Sequence, residues 1–139
     1  GTAYSVRAAR FGNYTGKEYL DAADNNTLVI VHIETPEAVK NFEEIVSVPG
    51  IDVAFVGPTD LSVSMGYKAE GASHPAVRSA IQDVFRKGRE MGVIMGTLAG
   101  SIEDIGRCAG EGARYVTTVS SGLISAKFKE MVKVGRNCK

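Results

Sequence analysis

Asp52-Val53-Ala54-Phe55-Val56-Gly57-Pro58-Thr59-Asp60-Leu61-Ser62 is the stretch that decides the fold. Its apolar run predicts a buried strand, Gly57-Pro58 breaks it, and Asp60-Leu61-Ser62 opens a short helical turn. Asp60 therefore stands where a strand hands over to a helix. The same pattern occurs upstream. Leu28-Val29-Ile30-Val31-His32-Ile33 is a continuous apolar run rich in β-branched residues, which is how a strand buried on both faces of a parallel sheet reads. It ends at Glu34. Thr35 then caps a helix with Pro36 at its first position and Glu37 in its first turn. Two acids, each just past the C-terminal end of a predicted strand, point to one oxygen-ligand metal site at the mouth of an α/β sheet.

Two more strand–helix units follow. Val93 to Thr97 and Tyr115 to Val119 read as strands. The helix after Pro36 carries Val39, Phe42, Ile45 and Val46 as its apolar stripe, and Pro49-Gly50 closes it. Met65 to Ser73 is a loop. A longer helix runs from Pro75 to about Met91, with Val77, Ile81, Val84 and Phe85 on one face and Gly92 as its stop. Ser101 caps a helix bearing Ile102, Ile105, Cys108 and Ala109, with Asp104 placed as in a capping box. Ser120-Ser121-Gly122 leads into a last helix with Leu123, Ile124, Phe128, Met131 and Val132. Before the first strand, a short helix is expected from Lys17 to about Asp24. Alternating βα units imply a parallel sheet with right-handed crossovers, either an open doubly wound sheet or part of a (β/α)8 barrel. No GxGxxG or GxxxxGK[ST] supports the nucleotide-binding open sheets. A whole barrel takes about 250 residues, so this chain would supply about half of one.

Composition fits one globular domain over residues 1–139: 44% of the residues are hydrophobic, enough for a core. The formal net charge is +0 and no basic block appears, so the footprint of a nucleic-acid binder is missing. No apolar run approaches the roughly 18 residues of a membrane span, and no signal-peptide core is seen at the N-terminus. Cys108 and Cys138 stand far apart without a CxxC and read as two reduced thiols of a cytoplasmic protein.

Val31-His32-Ile33-Glu34-Thr35-Pro36-Glu37-Ala38-Val39, then Val48-Pro49-Gly50-Ile51-Asp52, then Phe55-Val56-Gly57-Pro58-Thr59-Asp60-Leu61-Ser62 resemble the class II pyruvate aldolases of the HpcH/HpaI type. That family includes 4-hydroxy-2-oxoheptanedioate aldolase and 2-dehydro-3-deoxyglucarate aldolase. The likeness extends to Met65-Gly66, His74-Pro75 and the Gly92 to Gly96 segment, and Glu34 and Asp60 lie 26 residues apart. The resemblance implies the C-terminal half of a (β/α)8 barrel of the phosphoenolpyruvate/pyruvate superfamily. It implies that Glu34 and Asp60 bind Mg2+, Mn2+ or Co2+, which pyruvate chelates through its keto and one carboxylate oxygen. The Gly57-Pro58-Thr59-Asp60 loop would give backbone N–H groups to the pyruvate carboxylate, and Leu98 would line the aldehyde pocket. The chemistry is coherent, because a hard cation on a keto oxygen is the Lewis acid an enolate needs.

The chain departs from the family pattern in four places. The family's catalytic arginine and its acid–base histidine lie upstream of the Glu34 strand, and Arg7 and Arg10 do not match that arginine. His32 stands where glutamine is usual, Ser121 where aspartate is common and Thr59 where alanine is frequent. No catalytic residue beyond the metal ligands is therefore assigned.

Plainer readings stand beside these. Glu34 could be a first-turn helix glutamate and Asp60 an N-cap. His32 could be a hydrogen-bonded core histidine. His74 reads as a helix-start residue, Met65 and Met91 as packing residues, and Glu103, Asp104 and Glu111 as a solvated helix face. The expected function is a divalent-metal-dependent aldolase that reversibly cleaves 4-hydroxy-2-oxo acids to pyruvate and an aldehyde. It would act as a homo-oligomer or with a missing N-terminal half. The alternatives are a catalytically silent half-barrel that binds metal or serves assembly, and a citryl- or malyl-thioester lyase relative.

Overall fold

The computed structural model describes residues 2–137. Four strands form the sheet: β1 (Ile30–Ile33), β2 (Val53–Val56), β3 (Ile94–Leu98) and β4 (Tyr115–Thr117). Their order is β1-β2-β3-β4 and each neighbouring pair is parallel. Helices α1 (Gly16–Asn26), α2 (Pro36–Lys40), α3 (Phe42–Val46), α4 (Pro58–Ser64), α5 (Pro75–Glu90), α6 (Ile102–Gly110) and α7 (Ser120–Arg136) precede, link and follow the strands. The strand order never reverses. A doubly wound sheet would change direction at a switch point, whereas a barrel wall winds steadily one way.

One face of the sheet makes the core. Val31, Ile33, Ala54, Val56, Val93, Met95 and Val116 pack with Phe42, Leu61, Val77, Val84, Phe85 and Cys108 from the helices. Burying a side chain such as Ile33, Phe42 or Leu61 stabilises the fold by about 1.5–3 kcal/mol each. Thr97 is the buried polar residue of this face, and its hydroxyl donates to the Val56 carbonyl at 3.1 Å. Among the described residues no buried side-chain polar atom lacks a partner. The alternate residues, His32, Phe55, Gly96 and Tyr115, lie outside that core and face the other way.

Helix starts follow their capping chemistry. Ala38 N–H donates to Thr35 Oγ1 at 3.0 Å, Asp104 N–H to Ser101 Oγ at 3.1 Å, and Ala76 N–H to His74 Nδ1 at 3.2 Å. Gly92 ends α5 with φ of 72°, a left-handed conformation that suits glycine.

Several expectations need correction. The first strand begins at Ile30, with Leu28 and Val29 exposed, and it is not buried on both faces: His32 is exposed. Only β2 is buried along its whole length: β1 and β4 are edges, and β3 runs from half-buried Ile94 to exposed Leu98. The helix after Thr35 is two short helices broken at Asn41 (φ −95°, ψ 16°). Residues 7–12 form a 3-10 turn ahead of α1. The third strand runs on to Leu98, and the fourth stops at Thr117. Ile102 and Ile105 are exposed, so α6 buries Cys108 rather than its whole apolar stripe. Met91 is exposed, whereas Met65 packs on the core. Helix α7 forms where expected but buries none of its residues. Cys108 is a free, buried thiol; Cys138 lies outside the described residues.

Candidate metal centre

Both acids are held by an element on either side. Glu34 follows the last residue of β1 and precedes Thr35, the N-cap of α2. It is therefore outside the helix and does not act as a first-turn glutamate. Gly57 is the N-cap of α4, with Pro58, Thr59 and Asp60 as the first three helical residues. Asp60 is thus in the first turn and is not the N-cap, a place where a carboxylate is favoured by the helix dipole.

The register brings the two acids together. Ile33 pairs with Val56 and Val56 with Thr97, so Glu34, Gly57 and Leu98 follow at one level of the C-terminal edge. A Cβ placed on Gly57 would stand 3.0 Å from Glu34 Oε2, 3.4 Å from Glu34 Cβ and 3.8 Å from Asp60 Oδ2. Both carboxylates therefore flank one methyl-sized gap that glycine leaves open. No Lys or Arg pairs with either of them among the described residues. Glu34 is half-exposed, and its one side-chain partner is His32, with Nδ1 3.2 Å from Oε2.

This donor set fits a hard divalent cation. Two carboxylates with no cation of their own converge on a small gap at a strand end. Among the described residues no group of three or more His, Cys, Asp or Glu is gathered to hold a metal. Two protein oxygens with the other positions left to water or substrate is the pattern of a magnesium-type site rather than of a closed cage. Next to the acids, α4 has no side-chain cap, so the N–H groups of Thr59 and Asp60 have no partner within the helix. Ser62 Oγ donates back to the Thr59 carbonyl at 2.6 Å and tightens this turn.

Pro58 and Leu98 line a cavity of about 410 Å³ together with Arg78, Gln82, Thr97 and Phe85. Glu34 and Asp60 do not line it, so cavity and carboxylate pair are neighbouring features that share an edge. The cavity is also lined by Cys108, whose thiol burial pushes up, and by exposed Arg107, which pairs with Asp104 at 2.9 Å and Glu111 at 3.3 Å. Ser121 is exposed on α7. His32 is hydrogen-bonded but exposed, which corrects the core-histidine reading. The in-line row of aromatic residues beside it escaped sequence reading, because only the strand register shows it.

The family model for HpcH/HpaI aldolase/citrate lyase matches residues 3–126. The chain belongs to that family. It is 37% identical over 116 residues to a hydroxypyruvate/pyruvate aldolase of Sagittula stellata, a match covering 84% of this chain and 45% of that protein. It is 35% identical over 136 residues to a 2-keto-3-deoxy-L-rhamnonate aldolase of Escherichia coli, covering 95% of this chain and 50% of the relative. A crystal structure of an HpcH/HpaI aldolase/citrate lyase family protein from Burkholderia cenocepacia superimposes with a TM-score of 0.86 at 31% identity, over 98% of this chain and 52% of that one. This HpcH/HpaI chain spans about half the length of the curated relatives it matches, and its steadily wound parallel sheet is a partial barrel. No helix among the described residues is long and apolar enough to cross a membrane.

Proposed function

We propose that this chain carries the metal-holding half of a divalent-metal-dependent aldolase that reversibly cleaves 4-hydroxy-2-oxo acids to pyruvate and an aldehyde. The observation that carries the reading is the convergence of Glu34 and Asp60, neither paired with a Lys or Arg among the described residues, on the gap at Gly57. Mg2+, Mn2+ or Co2+ bound between them would supply Lewis acidity toward the 2-oxo group. Glu34 and Asp60 contribute two negative charges at fixed places on the strand ends. The N–H groups of Thr59 and Asp60 are free to donate hydrogen bonds to the carboxylate of pyruvate. Pro58 and Leu98, at the edge of the neighbouring cavity, flank the aldehyde end. The relatives' names favour an aldolase over a thioester lyase. An assembly is part of this reading, with a second copy or the rest of a barrel: β1 and β4 each have an open edge, and α7 leaves Leu123, Ile124, Phe128, Met131 and Val132 exposed.

Exchange of the pyruvate methyl protons in D2O, followed by NMR with Mg2+, tests the reading without a guess about the aldehyde. The expected result is exchange that a chelator stops and that Glu34→Ala abolishes while circular dichroism is unchanged. Exchange no faster than in buffer, or exchange indifferent to chelator and to Glu34→Ala, would overturn it in favour of an inert half-barrel.

A further inference from the structure

The face of the sheet turned away from the helices carries a row of residues in strict register: His32 beside Phe55, Phe55 beside Gly96, and Gly96 beside Tyr115. The rings touch along it. His32 and Phe55 have centroids 5.0 Å apart at 34°, and Phe55 and Tyr115 meet edge-on at 6.3 Å and 77°. Gly96 makes the row possible. A Cβ there would stand 3.1 Å from both Phe55 Cδ2 and Tyr115 Cδ1 and 3.0 Å from the Tyr115 carbonyl oxygen, so any side chain at 96 would push the rings off β3. At the end of the row, His32 Nδ1 is 3.2 Å from Glu34 Oε2. An ionised carboxylate only accepts, so Nδ1 carries the hydrogen and donates it.

We propose that His32 is a positioning residue for Glu34, its imidazole held in place by the Phe55–Gly96–Tyr115 row so that the glutamate meets the gap at Gly57 in one orientation. The proposal rests on the metal-site reading above. Glu34 has three side-chain torsions and, among the described residues, no Lys or Arg partner and no side-chain hydrogen bond other than the one from His32. Without His32 its carboxylate would be free to turn into solvent. With Nδ1–H on Oε2, the other oxygen and the remaining lone pairs stay available to a cation. Partners of this kind, hydrogen-bonded to a metal's carboxylate ligand, set its orientation and the affinity of the site. A surface ion pair that did nothing more would not need a floor of three packed residues with a glycine cleared for it.

The test is titration of the whole chain with Mn2+, with free Mn2+ read by electron paramagnetic resonance. His32→Phe keeps a ring on Phe55 and removes the donor. His32→Asn removes the ring and puts Nδ2 where Nδ1 stands. Glu34→Gln reports on the metal site itself. The expected result is loss of binding in Glu34→Gln, affinity about 10- to 100-fold weaker in His32→Phe, and recovery to within a few-fold in His32→Asn. The metal-free unfolding midpoint of His32→Phe should stay close to that of the parent. Equal affinity for the parent and His32→Phe, with Glu34→Gln still defective, would overturn the proposal and leave the metal site standing. Equal weakening in His32→Phe and His32→Asn would overturn the donor role. Failure of the parent to bind Mn2+, or binding undisturbed in Glu34→Gln, would remove the metal site and the proposal with it.

Discussion

Gly57→Ala separates the proposed metal site from the fold more cleanly than removal of either acid. Gly57 has φ −92° and ψ 94°, which an alanine adopts without strain. The new methyl would stand in ordinary contact with Glu34 Cβ at 3.4 Å but only 3.0 Å from Glu34 Oε2. Since Glu34 is half-exposed, its carboxylate can swing outward, at a rotamer cost of about 0.5–1.5 kcal/mol. The unfolded chain loses freedom when glycine becomes alanine, which returns about 0.4–1 kcal/mol. The two nearly cancel, so the unfolding midpoint should move by less than about 5 °C. Binding should suffer far more. The methyl fills the gap that both carboxylates face and turns Glu34 out of it, and loss of a metal ligand's set orientation typically costs about 10- to 100-fold in affinity. The expected outcome is 10- to 100-fold weaker Mn2+ binding, measured by calorimetry, alongside a nearly unchanged midpoint. Unchanged affinity would mean that the gap at Gly57 is not where the cation sits. A collapse of the midpoint would mean that Gly57 matters for packing instead.

Gly88 on α5 is packed against Met95: a Cβ there would overlap Met95 Sδ and stand 2.7 Å from Cγ. Gly88→Ala should therefore lower stability by up to about 2 kcal/mol, overpacking of about 1–3 kcal/mol being offset by about 1 kcal/mol of helix propensity. In a Met95→Ala background it should raise stability, and a rise in the unmodified chain by chemical denaturation would refute the contact. Lys87 holds the Glu43 carboxyl below the ordinary carboxylate range, and Arg107 does the same for Asp104. Each pair's contribution is present in full above the unfolded carboxylate pKa, about 4, and is lost as pH falls through the lower folded value. The double variant Glu43→Gln, Asp104→Asn should flatten the acid side of the thermal midpoint against pH profile; an unchanged profile would show that both pairs are screened by solvent.

The strands and their order of appearance were legible because apolar runs bounded by Gly, Pro and caps leave few alternatives: Val53 to Val56 and the Thr35 cap are found where the residues put them. The face of each strand was less legible. Continuous runs such as Leu28 to Ile33 read as doubly buried, yet His32 faces away from the helices into solvent. A run cannot show that one of its faces is left without a helix layer. The break at Asn41 is invisible to helical periodicity, since Val39 and Phe42 keep the spacing of one stripe across it. The stripes of Ile102 with Ile105 and of α7 are real as patterns but have no partner surface in the described chain. For the site, Glu34 and Asp60 were legible as residues at strand ends. Their shared gap was not, because it depends on the Ile33–Val56 register and on a missing Cβ.

The two faces of this sheet divide the work between them. The helix side, from Ile33 through Ala54 and Val56 to Met95, holds the folded chain together. The other face carries His32, Glu34, Gly57 and Leu98, none of which contributes to that core. The connections at the C-terminal edge keep the second face rigid even though it is open. Glu34 and Thr35 alone join β1 to α2, and Gly57 alone joins β2 to α4. Each acid is thus pinned by a strand behind it and a helix start in or just ahead of it, so its backbone has no loop in which to wander. Functional groups held on such short joints keep their geometry better than groups on long loops. The freedom that remains is in side-chain torsions, greatest for Glu34, and that is the freedom the hydrogen bond from His32 removes.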